Sequence, residues 1–280
     1  MNTETIFLTY TELAVAASLL LVNAILSLCF GLGLEKRLLI ATARMITQFA
    51  LIGLVLVWLF DNVSLLFTGL AASIMIIFAG RESVARQDRR FVGWWGLGIG
   101  ISSMALAGML VTIFALAQIR PDPWYHPQYA IPLLGLILGN AMNGVSLGLN
   151  NLTNGAAREK LAIETRLSLG QSRDEALRPI VREALRTAML PIINSMAAAG
   201  IVFLPGMMTG QILAGVDPEE AVKYQLLIIH NFYLMFLLQF LLLNSNLQQM
   251  YIHKKLQLKY QLVNIQKKLH IKYHLVNIHK

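Results

Sequence analysis

Seven apolar stretches separated by short polar segments organise this chain: 11–34, 38–60, 63–80, 92–118, 131–150, 188–208 and about 224–243. A helix that crosses the hydrocarbon core of a bilayer needs about 20 predominantly apolar residues. Each stretch is near that length. In lipid every backbone N–H and C=O must be satisfied inside the segment, which favours helices. The pattern therefore predicts an all-α, polytopic transmembrane helix bundle of about seven spans.

Basic residues in the connections orient the bundle. Lys36 and Arg37 follow the first stretch, and Asp61-Asn62 after the second contains no base. The third connection holds Arg81, Arg86, Arg89 and Arg90, and 119–130 holds only Arg120. Segment 151–187 carries Arg158, Lys160, Arg166, Arg173, Arg178, Arg182 and Arg186, whereas 205–223 carries only Lys223. This alternation predicts an N-terminus outside and a C-terminus in the cytoplasm. Trp94, Trp95, Trp124, Tyr125 and Tyr129 fall near span ends, where amphipathic rings favour the interface.

Local punctuation refines the picture. Four prolines in RPDPWYHPQYAIP (120–132) prevent helix throughout. Asp217-Pro218-Glu219-Glu220 has the form of a helix start, entering the last span. In 151–187 charged residues interleave with leucine, isoleucine and valine, predicting two amphipathic helices broken at Leu169–Ser172, the second capped by Ser172 with Glu175 three residues on. An amphipathic pair at the cytoplasmic face is a candidate docking surface for a partner.

Composition agrees. Of 280 residues, 56% are hydrophobic and 14% charged, against about 25% charged in soluble domains; mean hydropathy is +0.59. Too few charges exist to cover a globule in water. Cys29 is the only cysteine, which excludes an internal disulfide. The net charge of +8 would suggest nucleic acid, but seven of the positive charges are lysines between 254 and 280 with no acid among them. No nucleic-acid partner is expected; membrane lipid is. The flank before the first span has no basic residue, unlike a cleavable signal peptide.

Chemistry-bearing motifs are few. There is no G-x-x-x-x-G-K-[ST], so no nucleotide is held by that device, and no cofactor bound by this chain is expected. LSLGQS (167–172) has only a superficial likeness to an ATPase signature. Gly144-Val145-Ser146-Leu147-Gly148 fits G-x-S-x-G, and an intramembrane serine hydrolase using Ser146 with His230 as base is one reading. The other is close helix packing through Gly135, Gly139, Gly144 and Gly148. Asn140 and Asn143 lie one turn apart, with Asn150 and Asn151 at the inner end of the same stretch; Arg44 and Gln48 share a helix face. Amides and cations at membrane depth mark either interhelical hydrogen bonds or a polar substrate path. Soft metal ligands are limited to Cys29, Met142, Met207 and Met208, and the first six spans have no His or carboxylate at mid-depth. No metal ligand set is defined, and no catalytic residue is assigned.

The run LPGMMTGQILAG (204–215), together with Arg44-x-x-x-Gln48, Gly139-Asn140-x-Met142-Asn143 and the basic stretch Leu177–Arg186, resembles the FetB-like permease family over about residues 10–229. That resemblance implies the membrane subunit of a bacterial ABC transporter linked to iron export, with plant relatives associated with aluminium tolerance. It implies a multi-pass protein of the bacterial plasma membrane, forming a homodimer and partnered by a separate ABC ATPase that binds the ATP. Glu164 and Gly170 also share the E-x5-G spacing of the coupling loop of ABC importers, although the expected Leu-Pro is displaced to Leu190-Pro191. The expected substrate path is Arg44, Gln48, Asn140, Asn143, Met207, Met208 and Gln211. Glu164, Gly170, Arg173, Arg178 and Arg182 are the expected coupling residues. A channel or transporter without ATP coupling is the remaining alternative.

After Ile229 the family pattern is expected to stop. KKLQLKYQLVNIQ (254–266) and KKLHIKYHLVNIH (267–279) are near-copies, differing mostly by Gln/His swaps. The expected organisation is a permease domain over 1–244, with coupling segment 151–187, and a basic tandem-repeat tail over 245–280 of out-of-family sequence, detached from residues 1–210.

Overall fold

The computed structural model describes residues 9–88, 94–232, 234, 235 and 238. The tail 245–280, Arg89, Arg90, most of the seventh stretch beyond 232 with Gln239, and the side chains of Trp94 and Trp95 lie outside the described residues. The described chain is helical, without a strand: α1 (Tyr10–Cys29), α2 (Glu35–Asp61), α3 (Leu65–Ala85), α4 (Trp94–Ile119), α5 (Pro127–Arg158), α6 (Lys160–Ser168), α7 (Arg173–Ala198), α8 (Gly206–Leu213) and a helical stretch α9 over 218–232. Among the described residues, α1 to α5 are long and apolar enough to cross a membrane.

Two compact units are distinguished. The first comprises 9–72, 116–132 and 199–228. Thr9 starts α1 with a capping box, its N–H donating to Glu12 Oε2 at 2.7 Å. The first stretch was expected to continue to 34, but α1 stops at Cys29 because Gly31 (φ 62°) and Gly33 (φ 65°) take the left-handed conformation that suits glycine. Ser27 then ties the turn: its hydroxyl accepts from Leu34 N–H at 3.1 Å and donates to Glu35 Oε2 at 3.1 Å. Trp58 meets Phe67 edge-on across the next turn, with centroids 4.7 Å apart. Leucine, isoleucine, valine and phenylalanine side chains of α1 and α2 remain widely exposed, as lipid-facing helices require.

The second unit comprises 73–115, 133–198 and the described residues from 229. Its α3 and α4 approach at backbone distance: a Cβ on Gly80 would lie 2.6 Å from Ile101 Cα, and one on Gly100 would lie 2.6 Å from Gly80 O. Met104, Ala107 and Val111 on α4 are fully buried, as are Leu133, Ile137 and Ala141 on α5. The α4 set recurs at steps of three and four residues and the α5 set at steps of four, as one helix face requires. A Cβ on Gly108 would come within 2.7 Å of Leu138 Cδ2, so these faces are in contact.

Two further boundaries differ from the sequence pattern. The fifth span, expected at 131–150, is a 32-residue helix from Pro127. Pro127 occupies a first-turn position where no N–H is needed, and His126 Nδ1 accepts from Gln128 N–H at 3.3 Å. The sixth, expected over 188–208, is not one helix. α7 ends at Ala198, Gly200 has φ 85°, its N–H donates to Phe203 O at 2.9 Å, and α8 begins only after Pro205. The apolar part of α7, 188–198, rises only about 16 Å at about 1.5 Å per residue, roughly half the core thickness. The final helix starts at 218, with Glu219 N–H donating to Asp217 Oδ1 at 2.8 Å, as the acidic start predicts.

Candidate substrate cavity and coupling surface

The interrupted segment builds a cavity. Within the first unit, α8, the start of α5 and α9 border an open cavity of about 490 Å³ lined by Gln128, Tyr129, Met207, Gly210, Gln211, Ala214, Val216 and Tyr224. Broken apolar helices are where membrane transporters place substrates, because irregular backbone is tolerated only where it lines a cavity or is covered by protein. Gln211 contributes to the wall while its Oε1 is enclosed and accepts no hydrogen bond. Met207 is in the lining; Met208 is buried. The start of α8 is tied by Thr209, whose N–H donates to Pro205 O at 3.0 Å while its Oγ1 donates toward Pro205 O at 3.2 Å and Leu204 O at 3.3 Å.

The second unit holds a polar latch. Asn143, Ser146, Asn150 and Asn154 follow one another at helical steps along α5. All four engage the end of α3 and the loop after it. Arg86 Nη1 donates to Asn143 Oδ1 at 3.0 Å, and Arg86 Nε sits 3.6 Å from Glu82 Oε1. Ser146 Oγ donates to Ser83 O at 3.3 Å. Asp88 N–H donates to Asn150 Oδ1 at 2.9 Å, and Asn154 Nδ2 donates to Asp88 Oδ2 at 3.3 Å. Gln87, between the two clamped residues, is buried with neither amide atom partnered. Asn150→Ala removes one acceptor and leaves Asp88 N–H unmatched. It is expected to cost about 1 kcal/mol, read as a melting midpoint lowered by about 3 °C in detergent. Arg86→Lys, whose ion pair is solvent-screened, should shift it by less than half that.

The coupling segment is a helical pair fixed to α5. One residue, Glu159, separates α5 from α6. Gly170 (φ 88°) turns the chain, and Ser172 caps α7: its N–H and hydroxyl each donate to Glu175 Oε2 at 2.8 Å. The Ser172 hydroxyl, then its N–H, hold the Glu175 carboxyl below the ordinary glutamate range. That contribution is present above the ordinary glutamate pKa and is lost as pH falls through the lowered value. Arg166 Nη1 donates to Ala176 O at 3.1 Å, holding α6 to α7. Ala176, Ile180 and Ala184 form the buried face of α7. A Cβ on Gly155 would lie 2.9 Å from Ile180 Cγ2, and Asn151 Nδ2 donates to Thr187 Oγ1 at 2.7 Å, so α7 lies tightly on the end of α5. Arg178, Arg182 and Arg186 recur every four residues on an exposed face.

The expected site residues separate. Met207 and Gln211 share the cavity. Arg44 and Gln48 are exposed on α2 in the first unit. Asn140 donates to Leu136 O at 2.9 Å within its own helix, and Asn143 is engaged by Arg86. Glu164 is exposed beside Lys160 at 3.7 Å; Arg178 and Arg182 are exposed and Arg173 half-buried. Ser146 lies inside the continuous helix α5, not on a strand–turn–helix elbow. Sequence reasoning missed Gln128, Tyr129 and Tyr224 in the cavity and Asp88 and Asn154 in the latch. Tyr129 had been noticed only as an interface ring. The helical spacing of Asn143, Asn150 and Asn154 was the available signal.

Comparison with known proteins supplies the family. The profile of an uncharacterised protein family, UPF0014, matches residues 10–251. The match continues past Ile229, where the family pattern was expected to stop. A UPF0014 membrane protein of Synechocystis sp., slr1647, is 37% identical over 203 residues, 71% of this chain and 76% of that protein. The Escherichia coli "Probable iron export permease protein FetB" is 32% identical over 232 residues, 81% of this chain and 85% of that protein. The Arabidopsis thaliana "Protein ALUMINUM SENSITIVE 3" is 30% identical over 217 residues, 78% of each chain. No solved structure matches significantly. With its apolar helices and a family match covering most of its length, this chain belongs to the UPF0014 family of multi-pass membrane proteins.

Proposed function

We propose that the chain is the permease subunit of an ABC transporter in the bacterial plasma membrane, carrying iron or a related metal ion outward as a homodimer driven by a separate ATPase. The observation that carries this reading is the extended similarity to the Escherichia coli protein named as a probable iron export permease. The exposed arginine stripe on α7 supports it by offering a partner a basic face backed by a helix anchored to α5. Closure of the ATPase subunits on ATP displaces α6 and α7, and α5 moves with them. A full switch from about 1:99 to 99:1 requires about 5.5 kcal/mol of differential binding, which ATP-driven closure supplies. Affinity capture of the tagged full-length chain from its native membrane is expected to bring down an ABC ATPase. A chain that transports metal with no ATPase bound would instead be an ATP-independent transporter.

A further inference from the structure

Resting on the reading of a metal substrate, the chemistry of the cavity restricts the form in which that metal is held. Gln128, Tyr129, Met207, Gln211, Ala214 and Tyr224 offer amides, phenols and one thioether, and none of the described lining residues is charged. A bare multivalent cation placed there loses its hydration with no carboxylate or thiolate to replace it. Amide and phenol oxygens are, however, good acceptors for the protons of coordinated water. The Oε1 of Gln211 is sealed from water, so the amide of Gln128 and the phenols of Tyr129 and Tyr224 are the wall's polar groups open to a bound ion.

Size and field agree. Six waters at about 30 Å³ each fill about 180 Å³, so 490 Å³ accommodates a cation with its first shell intact. Asp217, Glu219 and Glu220 stand just before Tyr224 in the chain against Lys223 alone, which lies 3.2 Å from Glu219 Oε1 and 2.7 Å from Glu220 Oε1. The surplus of negative charge draws cations toward this end without ligating them. Tyrosine ring faces add attraction for a cation. We propose that this cavity binds its metal substrate as a hydrated, outer-sphere complex, through Gln128, Tyr129 and Tyr224, without direct coordination by Met207.

Hexaamminecobalt(III) tests this, because its ammonia ligands exchange too slowly to admit a thioether, leaving only outer-sphere contact. The full chain is placed in lipid nanodiscs with Cys29→Ser, and Ala214→Cys reports on the cavity through its labelling by an uncharged maleimide. The complex ion is expected to slow labelling at least about fivefold. Tyr224→Phe and Gln128→Leu should each raise the concentration for half-protection about tenfold, and Met207→Leu should leave it unchanged. A Leu213→Cys variant, outside the cavity lining, should label at the same rate with and without the ion. Equal protection there means general charge screening and overturns the proposal. So does protection by iron(II) that is lost in Met207→Leu while the complex ion has no effect, which would establish direct coordination. Absence of protection by either ion overturns it too. ATP-driven metal transport measured on the same preparation reports separately on the function: transport without outer-sphere protection refutes only this inference, and protection without transport supports the site while refuting the transport reading.

Discussion

Gly80→Val should lower stability far more than Asn150→Ala or Arg86→Lys. At Gly80 the neighbour is backbone: a Cβ would sit 2.6 Å from Ile101 Cα and 2.7 Å from Ile101 N. Backbone cannot rotate away as a side-chain terminus can, so α3 and α4 must part. Overpacking of this kind costs about 3 kcal/mol, and separating the helices also withdraws Ser83 O from Ser146. The expected result is a melting midpoint lowered by about 10 °C and a reduced yield of monodisperse protein in detergent. Gly139→Val provides the contrast, since nothing lies within 4 Å of its Cβ position. Equal effects at the two positions would show that helix propensity, not close approach, controls the result.

The largest functional effect is expected on α7. Reversal of Arg173, Arg178 and Arg182 to glutamate should abolish ATPase stimulation while leaving membrane insertion intact. Arg178 and Arg182 are exposed, opposite the buried Ala176, Ile180 and Ala184, so their replacement leaves the α7–α5 contact in place. Placing negative charge where a partner reads positive charge costs several kcal/mol across an interface, which corresponds to a loss of more than about a hundredfold in affinity. The check is ATPase activity of the reconstituted complex alongside membrane-fraction yield. Unchanged stimulation would move the docking surface elsewhere.

Helix type and local starts were legible in the sequence because they depend on neighbours. The Ser172–Glu175 box, the Asp217 start and the α6–α7 break at 169–172 all form within a few residues, and the structure contains each. The interruption at 199–205 was not legible. AAAGIVFLPG is as apolar as the spans around it, and only the left-handed Gly200 and the position of Pro205 show that the chain turns back on itself. The cavity followed that error, since α8 exists only once the sixth stretch is broken. The latch was hidden for a different reason. Its hydrogen bonds join residues more than 50 positions apart, so nothing in the sequence pairs Asn143 with Arg86, Ser146 with Ser83 or Asn150 with Asp88. The Gly80–Gly100 approach was likewise invisible, because neither glycine is distinguished in its apolar run from those with open space around them.

These elements give α5 a particular place in the proposed cycle. Its first turn contributes Gln128 and Tyr129 to the cavity, its inner half carries the latch residues, and its last residue adjoins the coupling pair. Asn154 and Asn150, which bond Asp88, are the latch residues nearest in the chain to the coupling pair.

The central claim is ATP-driven metal movement, and the most direct measurement is transport into sealed inside-out vesicles containing the chain with its cognate ATPase. The account predicts uptake of iron(II) that requires both ATP and the ATPase and that disappears in the Arg173, Arg178 and Arg182 reversal. Uptake that proceeds at the same rate without the ATPase would contradict it.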